Sequence, residues 1–173
     1  MKLISYQSEI VLNTLLKGEI HLAKPSISFS REYMALIDML DLHCKCPIFA
    51  VVHGKKQNSS GRVSSSVKLI LEVPEDKIKF TEFSVWADFL YSIKFAKPHD
   101  YSKVLANYHD LASQKHENLI KQIKNQQSLD KYDYPQAILE YIDPKWLVSY
   151  KMQNRTNKQI TTIEKIGNFF KWY

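Results

Sequence analysis

Residues 134–150 read YPQAILEYIDPKWLVSY, and the folding of the first half of this run decides the class of the domain. Side chains alternate faces along a strand. Gln136, Ile138, Glu140 and Ile142 therefore share one face, and Ala137, Leu139 and Tyr141 the other. The polar pair lies on one side, either as the solvated face of an edge strand or as the floor of a site. Beyond Asp143–Pro144 the run KWLVSYKM predicts a second strand, so the segment closes a sheet with two strands.

Upstream, the elements do not alternate regularly. Residues 2–6 predict a strand, followed by an apolar helical pattern at Ile10, Leu12, Leu15 and Leu16 that stops before Gly18. SISFS at 26–30 alternates serine with apolar residues as a strand does, and Ser30 can cap a helix carrying Met34, Ile37 and Leu40. PIFAVVH at 47–53 predicts a buried strand, and the glycine, serine and asparagine of GKKQNSSGRVSSS an exposed loop. VKLILEV at 67–73 resumes the sheet. Ile78 and Phe80 mark a further short strand, and Thr81 can cap a helix bearing Phe83, Trp86, Phe89 and Leu90. A helix over about 102–127 would use Leu105, Tyr108, Leu111, Ala112, Ile120 and Ile123 as its inner face, and a terminal helix would carry Ile160, Ile163, Ile166, Phe169 and Phe170. This order predicts an α+β class, a single mixed-sheet domain with flanking helices over residues 1–173.

The 173 residues, 45% of them hydrophobic, suffice for one core. A net charge of +6 favours an anionic partner such as nucleic acid, an anionic cofactor or an acidic protein surface, although an AT-rich genome yields the same lysine excess. Cys44 and Cys46 lie too close together for a long-range staple, which with the absence of a signal-like start predicts a cytoplasmic protein without a membrane span. His43, Cys44, Cys46 and His53 are metal-ligand types, but Cys-x-Cys lacks the two-to-four-residue separation of zinc motifs. No G-x-S-x-G elbow, P-loop or G-x-G-x-x-G is present. The closing segment YKMQNRTNKQITTIEKIGNFFKWY mixes cations with aromatics. Its apolar spacing suits a docking helix, and Lys151, Arg155 and Lys158 are its candidate nucleic-acid contacts.

Three stretches resemble ADP-ribosyltransferase domains of the DNA-modifying DarT-like toxins. ISYQSEIVLNTLLKGEI is similar to that family's opening strand, helix and glycine. LILEVPEDKIKFTEFSVWADFLY is similar to its strand, phenylalanine-threonine-acidic segment and helix, and DYPQAILEYIDPKWLVSY to its glutamine-alanine-glutamate strand and proline turn. The front and middle also resemble an uncharacterised bacterial and phage family, through Gln7 and through Glu82, Phe83 and Trp86. The toxin resemblance implies an ADP-ribosyltransferase-like fold that uses NAD as substrate. It implies that Gln7 contacts ribose or nicotinamide, and that Ser28 and Arg31 position the dinucleotide. A late-strand glutamate would then stabilise the oxocarbenium-like transition state.

Ile138 occupies that glutamate's position, which points to an inactive relative. A shift of two residues keeps the same face and brings Glu140 or Gln136 into the cleft instead. The expected function is therefore NAD-dependent modification of nucleic acid or protein, in a toxin or anti-defence setting. Its rival is a non-catalytic basic protein of phage or mobile-element origin that blocks a host nucleic-acid enzyme.

Overall fold

The computed structural model describes residues 1–25, 30–56, 65–94 and 114–153; of Ser30, Arg31, 91–94 and 114–116 it describes the backbone alone. Six strands form one sheet: β1 (Lys2–Gln7), β2 (Ile48–Val52), β3 (Val67–Glu72), β4 (Lys79–Glu82), β5 (Pro135–Leu139) and β6 (Leu147–Met152). Their order is β4-β5-β2-β1-β3-β6, and every adjacent pair is antiparallel. The α+β class holds, while the expected mixed sheet is an antiparallel one among the described strands. Four helices accompany it among the described residues: α1 (Glu9–Leu16), α2 (Ser30–Leu40), α3 (Phe83–Lys94) and α4 (Gln114–Lys124). None is long and apolar enough to cross a membrane.

The sheet divides two apolar clusters. On one face Leu3, Ile48, Ala50, Val52, Leu69, Leu71, Ala137 and Leu139 pack with Val11, Leu12 and Leu15 of α1. On the other, Ile138 and Phe49 pack with Leu36 and Met39 of α2, Trp86 and Phe89 of α3, and Ile120 and Ile123 of α4. Burial on both faces explains why β2 is a continuous apolar run rather than an alternating one. Helix α1 turns inward by Val11, Leu12 and Leu15, leaving Ile10 and Leu16 exposed, so the expected apolar set is rotated by about one residue.

Both of these early helices end in left-handed turns. Gly18 has φ 79°, which glycine adopts without steric cost, and its N–H reaches the Leu15 carbonyl at 3.0 Å. Asp41 takes φ 52° after α2, while the Leu42 N–H donates to the Ile37 carbonyl at 2.9 Å in a Schellman-type closure. That turn directs the chain into residues 43–46, which lead to β2.

Two local expectations change. Thr81 belongs to β4 and is 1% exposed, so it is no helix cap; α3 follows the strand directly at Phe83. Strand β5 lies between β4 and β2, so Gln136 is not on an edge strand. The outer edge of β4 is closed instead by a side chain: Gln126 accepts the Phe80 N–H at 2.8 Å and donates to the Phe80 carbonyl at 2.9 Å, standing in for a seventh strand. Of the expected serine strand at 26–30 only Ser30 is described, as the first residue of α2; the rest of it, the first part of the 102–127 helix and the terminal helix lie outside the described residues.

Candidate functional site

Glu140 stands one residue beyond the end of β5, where the chain bends. Its Oε1 accepts the backbone N–H of His43 at 2.8 Å, and the His43 ring nitrogen Nδ1 lies 3.8 Å from the same oxygen. The α2 turn at Asp41 delivers that amide, so helix geometry fixes the carboxylate from ninety-seven residues away. The side chain is 32% exposed, and its second oxygen has no protein partner among the described residues. One oxygen is thus anchored and the other is open. Burial pushes the Cys44 thiol above its ordinary range, and the Glu140 carboxylate adds to the effect. The exposed Lys77 ammonium is held up chiefly by its 3.0 Å contact with Asp76, with smaller contributions from Tyr141 and Glu140.

Gln136 has a different environment, despite sharing strand parity with Glu140. It pairs with Val51 on β2 and with Thr81 on β4, so all three side chains point to the helical face. Its Oε1 and the Thr81 Oγ1 are buried and lack a hydrogen-bond partner among the described residues. Between the two polar residues, Ile138 is 1% exposed within the cluster of Trp86, Phe89 and Ile123. Position 138 is therefore enclosed core, while Gln136 and Glu140 on either side of it are both half-buried. Buried polar atoms without a partner carry a cost of about 1–3 kcal/mol each, and such atoms call for an explanation.

Gln7 ends β1 at the same end of the sheet, where β2 begins and β5 finishes. One intervening strand separates β1 from β5, a span of about 10 Å. Strand parity sends Gln7 to the α1 face, opposite Gln136, so the sheet does not bring those two together. The Gln7 Nε2 donates to the Ser5 hydroxyl at 2.9 Å, which in turn donates to the Phe49 carbonyl at 3.1 Å.

The first turn of α2 reaches this end as well. The Tyr33 ring lies 5.6 Å from that of Phe49, the second residue of β2. Burial raises the Tyr33 hydroxyl, and Cys46 and Glu32 add to it. Arg31 precedes Tyr33 by two residues, and only its backbone is described, in α2. Ser28, Arg155 and Lys158 lie outside the described residues.

Lys151 is exposed on β6, directly opposite Lys68 of β3. Sequence reasoning took Thr81 for a helix cap and missed the His43 amide and Gln126. A threonine in an alternating pattern signals Thr81 only once β4 is extended by two residues, and the other two depend on contacts remote in sequence. Among the described residues no three His, Cys, Asp or Glu side chains converge on a metal-sized site. Compared with protein-family models, curated proteins and solved structures, the chain matches none.

Proposed function

We propose that the chain is an ADP-ribosyltransferase-like domain that takes NAD as substrate and acts on nucleic acid or protein, with Glu140 serving the reacting ribose in place of the glutamate lost at Ile138. The observation that carries this reading is the Glu140 carboxylate, anchored through one oxygen by the His43 amide and open at the other. A fixed carboxylate is what an oxocarbenium-like centre requires, because preorganised charge needs no reorientation as the N-glycosidic bond breaks. Two further features support it. Gln7 and the first turn of α2, which bears Arg31, stand at the same end of the sheet. Ile138 is enclosed, which leaves the strand end as the accessible part of β5.

In this scheme Arg31 and Ser28 hold the pyrophosphate, Gln7 contacts ribose or nicotinamide, and Gln136 supports the strand from within. Labelled NAD incubated with the full chain and DNA, RNA or cell protein is expected to label one acceptor, and Glu140→Gln to abolish labelling. Absence of label on every acceptor would reject transfer.

A second reading is favoured by one observation. Lys68 and Lys151 face each other across β3 and β6, where like charges repel, and neither has an ion-pair partner among the described residues. A non-catalytic basic protein that binds nucleic acid, or a nucleic-acid-binding protein, would have this feature. Calorimetry separates the two: NAD binding supports the first, and tight, salt-dependent binding to DNA or RNA without NAD supports the second.

A further inference from the structure

The two edges of the sheet are treated differently. Gln126 closes β4, whereas the outer backbone groups of β6 have no partner among the described residues. Natural sheets cover such edges or blunt them with charge and proline, because unpaired N–H and C=O groups template another strand. Strand β6 has one lysine, Lys151, and a register irregularity where it passes Ile70 and Leu71, yet it exposes Val148 at 55%, Tyr150 at 48% and Met152 at 43%.

The register supplies the chemistry of what would pair there. Tyr150 and Met152 lie opposite Leu69 and Val67, on the face of the α1 cluster, so an added strand would continue an apolar surface on that side. On the other face the same strand would lie directly beside Lys151, with Lys68 one strand further in, so the surface it meets there is cationic. We propose that β6 is a docking edge for an extended segment of a partner protein that alternates apolar with acidic residues, apolar toward Tyr150 and acidic toward Lys151. This is β-augmentation, in which main-chain pairing gives affinity and alternate side chains give specificity. A second copy fits less well, since each carries +6 and β6–β6 pairing would add two further Lys151 and Lys68 groups at the seam. The inference is independent of NAD binding.

The test uses the full chain and three labelled nine-residue probes followed by fluorescence anisotropy: alternating Val and Glu, the same composition scrambled, and alternating Val and Lys. The Val-Glu alternation is expected to bind about tenfold tighter than either other probe, the sum of two or three cross-strand pairs. Val148→Lys and Tyr150→Lys each weaken it, while Leu22→Lys, an exposed site on another part of the chain, leaves it unchanged. Far-ultraviolet spectra of the variants establish that they remain folded. Failure of the alternating probe to bind, equal binding of all three probes, or insensitivity to both β6 variants would overturn the proposal. So would a sedimenting dimer of the wild-type chain that Tyr150→Lys splits, since a second copy would then occupy the edge.

Discussion

Placing a glutamate at position 138, where the proposed reading would align the catalytic one, is expected to unfold the chain rather than to activate it, and the loss should depend on pH in a calculable way. Ile138 is 1% exposed and belongs to one cluster with Leu36, Trp86, Phe89 and Ile123. In the Ile138→Glu variant the unfolded carboxyl titrates near an ordinary value of about 4.3, whereas burial in such surroundings holds the folded carboxyl neutral to about pH 8. The folded value is raised, so the stability difference from wild type is smallest below about pH 4.3 and widens as pH rises. At about 1.36 kcal/mol per pH unit the additional loss reaches roughly 3.7 kcal/mol by pH 7. A constant penalty of a few kcal/mol for the lost isoleucine packing is added at every pH. Urea midpoints at pH 4.5 and 7 measure the effect, with Ile138→Gln as a neutral control that keeps the packing loss and lacks the pH-dependent part. A stability gap for Ile138→Glu that stays the same at both pH values would refute the enclosure of this position. It would reopen the direct alignment with the catalytic strand.

Thr81→Val keeps the side-chain shape and removes a buried hydroxyl that has no partner among the described residues, so stability should hold or rise by about 1 kcal/mol, which is about 2–4 °C in Tm for a chain of this size. A loss of comparable size in calorimetry would mean that the hydroxyl is satisfied. At the rim, Glu140→Gln removes the carboxylate that adds to the burial-driven rise of the Cys44 thiol. The pH profile of Cys44 alkylation should therefore move to lower pH in that variant, and an unmoved profile would contradict the influence of the carboxylate on the thiol.

The two polar residues of YPQAILEYI show where local pattern stops carrying information. Alternation identified the strand, and β5 runs over Pro135–Leu139 as apolar periodicity requires. Parity then assigned Gln136 and Glu140 to one face, yet parity is a property of extended backbone alone. The strand ends at Leu139, and Glu140, in the bend that follows, bonds to an amide ninety-seven residues earlier. Gln136 remains in the strand and is carried under the helices, because β5 inserts between β4 and β2. Nothing within nine residues encodes that insertion, which depends on pairings separated by fifty to ninety positions. The same reason hid the Gln126 closure of β4, where one carboxamide replaces a strand. Short-range signals therefore located the elements, while long-range pairing decided which polar side chain found a hydrogen-bond partner among the described residues. The open oxygen of Glu140 follows from a helix cap at Asp41 as much as from the strand that precedes it.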